Sequence, residues 1–360
     1  MVVTEGPDLR AVVIGCGRMG ALTRDSVRQS APPGWIPLAH AEAIRGTPGF
    51  VLTALCDPDP SALAAAGRRH RCDRLYREAA EMLAGEQPDV VTIATRTPGR
   101  ADLLVRAAGA GVRGIHAEKP LCNSVAEGLR AAAALTARRV VFSYGALRRY
   151  MPVYRRALEI ARSGAIGDPV QILVAFGPGR LMWTHPHSVD LMMFFAGARA
   201  VSVRASLDVR EGAAAGTMID DDPLVRSAHV EFENGMCGTI TLAGGSDITI
   251  AGTRGNVRVV ADGAALIVER EGALGGAGYF LHMSTEQPRP SASGLQTALS
   301  EMRATILGAA PAGTTVEEAV AGQRILFAMA LSSLEGGGAV DPAAIPHEFI
   351  VTGRSGQLPA

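Results

Sequence analysis

The sequence predicts a two-domain α/β protein, in which a doubly wound parallel sheet is followed by an α/β domain with a large, open, mainly antiparallel sheet. Two observations predict this class. Short apolar segments alternate with alanine-rich helical segments through roughly the first 140 residues, as in repeated βαβ units. Beyond about residue 150, apolar and polar residues alternate one by one, which is typical of strands with one polar face.

The strands of the first domain are apolar on both faces, because helices cover both sides of a parallel sheet. The predicted strands are residues 10–14, 50–55, 90–94, 114–117 and 140–143. The predicted helices are residues 61–69, 77–84, 101–110 and 124–136. This alternation assigns residues 1–142 to the first domain and residues 143–360 to the second.

The second domain is expected to pair its strands through short turns. Its predicted strands are residues 226–232, 236–243, 248–250 and 256–260, with Asn234-Gly235 as the first hairpin turn. Its predicted helices are residues 154–163, 189–195, 300–307 and 316–334. We expect the last helix, near residues 315–335, to pack back toward the first domain. The stretch 271–290 is rich in glycine and proline and is expected to form a loop.

Composition excludes several classes of protein. The 35 basic and 35 acidic residues balance, and no charge run indicates a nucleic-acid or membrane-surface partner. The chain begins without an apolar leader and contains no apolar run long enough to cross a membrane. Its five cysteines are widely spaced and form no Cys-x-x-Cys pair, which favours a reducing cytoplasm and indicates no zinc or redox motif.

A glycine loop, Gly15-Cys16-Gly17-Arg18-Met19-Gly20, directly follows the first predicted strand. The first glycine permits a tight turn, the second lets the backbone approach a pyrophosphate, and the third lets a following helix pack on the strand. Such a loop alone is weak evidence, since it can be a purely structural turn. The preceding strand and the following acidic signal favour a Rossmann-type dinucleotide site.

The acidic signal is Asp57, which ends the second predicted strand. A carboxylate there accepts bonds from the adenosine ribose and repels a 2′-phosphate, which favours NAD(H) over NADP(H). The interval from Gly20 to Asp57 is 37 residues, against about 20 in the usual unit. The excess lies at residues 24–38, a proline-rich segment that we interpret as a tolerated surface insertion; a role in cofactor or subunit contacts is the alternative.

The next signal is Glu118-Lys119-Pro120, at the end of the strand predicted over residues 114–117. Ligands of open α/β sheets bind at the carboxyl ends of the strands. A lysine there can hold a substrate oxygen and stabilise an alkoxide. The alternative is a surface lysine that precedes a helix.

With these motifs the sequence resembles the Gfo/Idh/MocA family of NAD(P)-dependent oxidoreductases, which includes glucose–fructose oxidoreductase and inositol dehydrogenase. The resemblance runs over nearly the whole chain and implies a Rossmann domain followed by an α/β domain whose open sheet forms the oligomer interface. By this resemblance Lys119 is the active-site lysine. The further matching segments are Cys56-Asp57-Pro58-Asp59, Thr97-Pro98, Arg149-Tyr150-Met151-Pro152, Gly164-Ala165-Ile166-Gly167, Phe232-Glu233-Asn234-Gly235-Met236 and Gly252-Thr253-Arg254-Gly255.

The family pattern Asp-x-Gly-x-His-x-x-Asp aligns with residues 183–190. His187 and Asp190 occupy its last two marked positions, so the resemblance makes His187 the general acid/base. If a helix begins near residue 186, His187 and Asp190 lie on one face of it. Trp183 and His185 replace the family's aspartate and glycine, and Asp102 stands where many relatives have a histidine, so the usual substrate contacts are altered.

These signals assign three groups of residues. The predicted catalytic residues are Lys119 and His187. The predicted substrate-binding residues are Arg149, Trp183, His185 and Asp190. The predicted cofactor contacts are Gly15, Gly17, Arg18, Met19, Gly20, Asp57, Thr95, Thr97, Pro98, Glu118 and Lys119. No metal site is predicted; His185, His187 and Asp190 could ligate an ion, but they lack a further ligand.

The sequence therefore predicts an NAD(P)-dependent enzyme that transfers hydride between nicotinamide and a hydroxyl or keto group of a sugar, cyclitol or sugar-derived metabolite. We expect a cytoplasmic homodimer or homotetramer with no nucleic-acid or membrane partner. Two alternatives remain open. One keeps the fold but reduces an imine, or uses tightly held NAD in a redox-neutral reaction. The other is a regulator that binds the dinucleotide without catalysis.

Overall fold

The computed structural model describes residues 6–271, 281–287, 290–309 and 313–353. The chain divides into two compact units, each formed by segments that are distant in sequence. The first unit comprises Met1–Ala31, Trp35–Tyr150 and Ala292–Val320. The second comprises Pro32–Gly34, Met151–Ser291 and Ala321–Ala360.

The elements follow one another along the chain in two sets. The elements that begin before residue 150 are β1 Leu9–Ile14, α1 Asp25–Ser30, α2 His40–Arg45, β2 Phe50–Cys56, α3 Pro60–His70, β3 Leu75–Tyr76, α4 Ala79–Glu86, β4 Val90–Ile93, α5 Arg100–Gly109, β5 Gly114–Ala117, α6 Val125–Ala137, β6 Val141–Tyr144 and the 3₁₀ helix Leu147–Tyr150. The later elements are α7 Pro152–Arg162, β7 Pro169–Ala175, β8 Gly179–Arg180, α8 His185–Ala196, β9 Ala200–Asp208, β10 Ala214–Ala215, β11 Met218–Ile219, β12 Leu224–Phe232, β13 Cys237–Ile240, β14 Asp247–Gly252, β15 Gly255–Val260, the 3₁₀ helix Ala261–Gly263, β16 Ala265–Glu271, β17 Leu281–Glu286, α9 Gly294–Ile306, α10 Val316–Leu334, the 3₁₀ helix Pro342–Ala344 and β18 Ile350–Val351.

The first unit contains a six-stranded sheet in the order β3-β2-β1-β4-β5-β6, and all its pairs are parallel. This is the strand order of a dinucleotide-binding sheet, with its topological switch point between β1 and β4. The predicted doubly wound sheet is confirmed. The two-residue strand β3 is an addition, because a strand of that length carries no periodic signal.

Both faces of this sheet are buried, as the apolar strands predicted. In β1, Val12 and Ile14 face one core, while Ala11 and Val13 face the other. Residues of α4, α5 and α6 cover the first core. Residues of α2, α3 and α9 cover the second, so a helix from the C-terminal half of the chain completes this unit.

The second unit contains a nine-stranded sheet in the order β17-β16-β15-β14-β7-β13-β12-β8, with β9 also paired to β12. The β13–β7 pair is parallel and the other pairs are antiparallel, which confirms the mainly antiparallel prediction. A small sheet of β10, β11 and β18 accompanies it. The loop predicted over residues 271–290 is wrong in part, because residues 281–286 form β17, paired along its whole length with β16; residues 272–280 and 288–289 lie outside the described residues.

The alternating pattern of these strands follows from the two environments of the sheet. One continuous row across seven strands is buried: Val203, Val230, Gly238, Ile172, Ile250, Val257 and Val268. The neighbouring row on the opposite face is polar or half-exposed: Arg204, His229, Thr239, Leu173, Thr249 and Arg258. Among the helices of the described ranges, none is long and apolar enough to cross a membrane.

Candidate active site

The glycine loop lies at the carboxyl edge of the first sheet, beside the end of β4. Gly15 has a φ of +95°, and a Cβ atom there would lie 2.8 Å from the carbonyl carbon of Ala94, so a side chain is excluded by conformation and by space. A Cβ atom at Gly20 would lie 1.6 Å from the carbonyl oxygen of Gly15. At Gly17, by contrast, a Cβ atom would meet no described protein atom within 4 Å. The packing of the chain therefore requires glycine at the first and third positions, while the second faces open space.

The helix expected after the glycine loop is split, which corrects the sequence prediction. One helical turn forms, in which the Ala21 amide donates to the Gly17 carbonyl at 2.9 Å. The chain then departs over residues 22–39 and returns as α2. The first two amides of α2 donate to the carbonyls of Met19 and Gly20, each at 2.8 Å. The predicted insertion thus interrupts the helix after its first turn, and α2 resumes it.

Asp57 lies at the end of β2 and holds the glycine loop. Its Oδ2 atom accepts the Cys16 amide at 2.6 Å, and its Oδ1 atom accepts the Asp59 amide at 2.9 Å. The structure thus brings two predicted cofactor features together across a 41-residue separation. Each carboxylate oxygen has a second lone pair that can accept a further bond.

Arg100 joins the remaining loops of this sheet edge, and sequence reasoning missed it. The side chain is 2% exposed, at the first residue of α5. Its guanidinium donates to the carbonyl of Glu118 at 2.6 Å, and also to the carbonyls of Thr95 and Pro120. Burial lowers the pKa of Arg100, against the opposing charge of Glu118. One planar group with several donors therefore fixes the segments that carry Thr95 and Lys119.

Lys119 follows β5 and is the sole lysine of the 360-residue chain, in which every other Lys/Arg position is arginine. Its backbone amide donates to Glu118 Oε2 at 3.2 Å. Burial favours a raised pKa for Glu118, but the hydrogen bond from His40 and nearby positive charge outweigh burial and lower it. The Glu118 carboxylate is thus kept charged directly beside the lysine.

Two histidines surround this carboxylate. His40 Nε2 lies 3.4 Å from Glu118 Oε1, and the rings of His40 and His116 meet edge to face with centroids 4.9 Å apart. His116 Nδ1 bonds to Ser143 Oγ at 2.8 Å. Burial, and then the neighbouring His40, lower the pKa of His116 to about 3, so this imidazole is neutral at physiological pH. No sequence motif links His40 to the Glu118 region, because 78 residues separate them.

In the second unit, the predicted histidine segment opens α8. The helix begins at His185, with Pro186 in its first turn, which confirms the predicted helix start. His187 and Asp190 are three residues apart and therefore lie on one face of α8. His187 is half-buried and Asp190 is 7% exposed. Trp183, just before the helix, is 37% exposed.

His185 differs from its neighbours because it is completely buried. Its Nδ1 atom bonds to Ser188 Oγ at 3.0 Å. A Cβ atom at Gly179 would lie 2.8 Å from His185 Nε2, so the imidazole fills the space beside that glycine. Burial lowers the pKa of His185 to about 4. The ring is therefore a neutral packing element at the base of α8.

Asp222 fixes the segment that leads into α8. The acidic run Asp220-Asp221-Asp222 has a pattern typical of a solvated loop, yet Asp222 is 3% exposed. Its Oδ1 atom accepts the Met182 amide at 2.7 Å, and its carbonyl accepts the Arg180 guanidinium at 2.6 Å. A buried carboxylate thus sets the backbone immediately before Trp183.

The other predicted residues occupy varied positions in the first unit. Arg149 is buried; its guanidinium donates to Glu318 Oε2 at 2.9 Å and to Thr314 Oγ1 at 3.3 Å. Arg18, Met19 and Thr95 are half-buried, Thr97 is buried and Pro98 is exposed. Asp102 is exposed and pairs with Arg130 at 2.7 Å. Within the first unit the structure therefore collects the glycine loop, Asp57, Thr95 and Lys119 at one sheet edge.

Comparison with known proteins gives a consistent picture. Residues 9–146 match the profile of an oxidoreductase family with an NAD-binding Rossmann fold, Gfo/Idh/MocA. A D-apiose dehydrogenase of Paraburkholderia graminis is 37% identical over 143 residues, which is 40% of this chain and 38% of that protein. The NAD⁺-dependent scyllo-inositol 2-dehydrogenase of Bacillus subtilis is 24% identical over 269 residues, covering 69% of this chain and 73% of that one.

Similarity of structure extends over nearly the whole chain. A levoglucosan dehydrogenase, solved in complex with NADH and levoglucosan, superposes with a TM-score of 0.75. The alignment covers 94% of this chain and 100% of that one at 19% identity. At this identity the likeness shows the shared fold, and it covers both units.

Proposed function

We propose that this chain, whose residues 9–146 match the Gfo/Idh/MocA family of NAD-binding oxidoreductases, is a dehydrogenase acting on a hydroxyl or keto group of a sugar or cyclitol. One observation carries the proposal. The glycine loop and the sole lysine stand at the same carboxyl edge of the first sheet, because Gly15 packs on Ala94 and Arg100 bonds both the Thr95 and Glu118 carbonyls. Ligands of such sheets bind at this edge.

The glycine loop holds the pyrophosphate of the cofactor in this proposal. The open space at Gly17 supports it, because a Cβ atom there would meet no described protein atom within 4 Å, whereas a pyrophosphate bound close to the backbone accounts for the glycine. Asp57 accepts bonds from the adenosine ribose and repels a 2′-phosphate, which gives a preference for NAD(H) over NADP(H). The Asp57→Ala variant is expected to bind NADH and NADPH with more similar affinities than the unaltered protein, as measured by fluorescence titration. Tighter binding of NADPH than NADH by the unaltered protein contradicts the preference.

Lys119 binds the reacting oxygen. Its ammonium stabilises the negative charge that develops on a carbinol oxygen as hydride leaves the carbon. Of the 35 Lys and Arg residues in the chain, 34 are arginine. The single lysine therefore supports a specific need for an ammonium group at position 119. A guanidinium is planar and bulkier, so it does not replace a compact ammonium at a single oxygen.

His187 exchanges the proton in this mechanism. It takes the hydroxyl proton during oxidation and returns it to the oxygen during reduction. The nicotinamide, when bound, supplies the hydride acceptor or donor. On the substrate side we place Trp183, whose exposed ring offers an apolar wall, and Asp190, which binds a hydroxyl or orients His187. The completely buried His185 bonds to Ser188 Oγ and so helps to fix the first turn of α8, which carries His187.

Alanine variants of the two catalytic residues test this function. Lys119→Ala and His187→Ala are each expected to lower kcat/KM by about 100-fold or more, with NADH affinity within about twofold of the unaltered protein. Lys119→Arg keeps the charge and is expected to be nearly as impaired as Lys119→Ala. His347→Ala is the matched control, because that histidine is exposed and remote from the motifs in sequence. Full activity of both alanine variants contradicts the assignment.

We further propose that the chain self-associates through the polar face of the nine-stranded sheet. That face carries exposed or half-exposed apolar residues, including Leu173 at 36% and Met283 at 69% exposure. Such residues on a broad, open sheet support a protein interface. Leu173→Arg is expected to reduce the mass measured by light scattering to that of a monomer. A monomeric unaltered protein contradicts the proposal.

A further inference from the structure

Three buried side chains, His40, His116 and Glu118, form a cluster next to Lys119 in the first unit. His40 and His116 are completely buried and Glu118 is 4% exposed. One ligating atom from each of the three lies within 4.8 Å of the other two. Within the described residues, this is the cluster of histidine, cysteine and carboxylate groups with the geometry to hold a metal ion.

The polar atoms of this cluster are incompletely satisfied. His116 Nε2 is buried and has no hydrogen-bond partner among the described residues. A buried polar atom left without a partner costs about 1–3 kcal/mol. On His116 the other nitrogen, Nδ1, is engaged by Ser143 Oγ at 2.8 Å. An outer-shell bond of this kind fixes the ring orientation and leaves Nε2 as the ligand atom, as in many metal-binding histidines.

The separations also suit a small tetrahedral ion. Zinc binds nitrogen and oxygen ligands at about 2.0–2.2 Å, so two ligands of a tetrahedral site are ~3.4 Å apart. His40 Nε2 and Glu118 Oε1 form a long hydrogen bond of 3.4 Å, and this separation equals the ligand–ligand distance of a tetrahedral site. The widest separation, 4.8 Å, closes to this value with a movement of about 1.4 Å.

We propose that His40, His116 and Glu118 form a binding site for a divalent transition-metal ion, with zinc as the ion that the ligand set fits. Two histidines and one glutamate are an established zinc ligand set, and they leave a fourth position for water. The site joins the start of α2, where the interrupted helix resumes, to the end of β5, directly before Lys119.

The ion has a positioning role at the active site. Glu118 binds it through one carboxylate oxygen while its Oε2 atom accepts the Lys119 amide at 3.2 Å. The position of the lysine backbone is thereby coupled to metal occupancy. Arg100 and Lys119 also interact electrostatically with Glu118, so they compete with the ion for the carboxylate. We therefore expect a site that a strong chelator empties.

Metal content of the purified full-length chain tests this site without any activity assay. After equilibration with zinc and removal of free ion, mass spectrometry of the metal is expected to give about one zinc per chain. His40→Leu and His116→Leu are each expected to reduce this ratio at least fivefold. His70→Leu is the matched control and retains the metal, because His70 is a buried histidine of the same unit whose Nε2 atom already bonds to the Ala21 carbonyl at 2.8 Å.

A spectroscopic measurement guards against variants that fail to fold. Cobalt(II) replaces zinc in tetrahedral sites and gives strong visible absorption bands, so the unaltered chain loaded with cobalt is expected to show these bands and to lose them on addition of zinc. Glu118→Gln preserves the side-chain shape and is expected to reduce both the zinc content and the intensity of the cobalt absorption bands. An unaltered chain that takes up neither zinc nor cobalt overturns the proposal, as does equal uptake by the His116→Leu variant. Metal uptake and cobalt absorption are both measured without hydride transfer, so failure of this proposal can be distinguished from failure of the proposed function.

Discussion

The second and third glycines of the loop permit a direct separation of cofactor binding from folding. A Cβ atom at Gly20 would lie 1.6 Å from the Gly15 carbonyl oxygen, about half a normal contact distance. Gly20→Ala therefore forces the turn apart and disturbs the bonds from α2 to the Met19 and Gly20 carbonyls. At about 1 kcal/mol per bond, plus the steric strain, we expect a loss of about 3 kcal/mol or more in the free energy of unfolding.

Gly17→Ala is expected to behave oppositely. The new Cβ atom enters open space, and Gly17 is not among the residues with positive φ, so stability should change by less than about 1 kcal/mol. The methyl group keeps a pyrophosphate from the backbone, however. Loss of one charge-assisted hydrogen bond costs about 1.5–3 kcal/mol, or at least a tenfold loss of NADH affinity. Denaturant titration and NADH fluorescence titration measure the two quantities. Unchanged NADH affinity in Gly17→Ala refutes the reasoning.

Two further predictions concern the second unit. The unfolded chain protonates His185 near its ordinary pKa of 6.5, while burial keeps the folded imidazole neutral down to about pH 4. Stability is therefore lost as pH falls, and we expect His185 to contribute about 2 kcal/mol of the loss measured by denaturant titration between about pH 7 and pH 5. His185→Asn should flatten this dependence, and an unaltered profile would count against the buried neutral ring. Asp222→Ala removes the bond to the Met182 amide, so turnover should fall about tenfold while NADH affinity is unchanged. Asp220→Ala, at an exposed position, is the control. An equal effect of both changes on turnover would exclude a positioning role for Asp222.

The sequence was most informative where local pattern and global fold agree. The buried strands, the glycine loop and Asp57 could be predicted because each is tied to an apolar strand of a βαβ unit, although the interval from Gly20 to Asp57 exceeds the usual spacing. The start of α8 could be predicted because a proline in a first helical turn and a cluster of polar residues mark helix starts. The strand β17 could not, because the surrounding glycine and proline residues mask its two-residue periodicity.

Long-range contacts of side chains were beyond sequence reasoning. Arg100 looks like an ordinary helix-surface arginine, yet it bonds carbonyls from two other loops. His40 gives no signal because its cluster forms only when the interrupted helix resumes beside β5. Asp222 stands in an acidic run that usually indicates solvent exposure. In all three cases tertiary packing, and not local pattern, decides the role of a charged or polar side chain.

Hydride transfer between a substrate carbon and the nicotinamide is the central step of the proposed function. We would incubate the chain with NAD⁺ and a panel of sugars and cyclitols deuterated at their carbinol carbons, and analyse the cofactor by mass spectrometry. We expect one deuterium to appear on the cofactor with at least one substrate, and we expect Lys119→Ala and His187→Ala to lose this transfer while they still bind NADH. A protein that binds NAD⁺ but transfers no deuterium from any compound of the panel would contradict the proposed function.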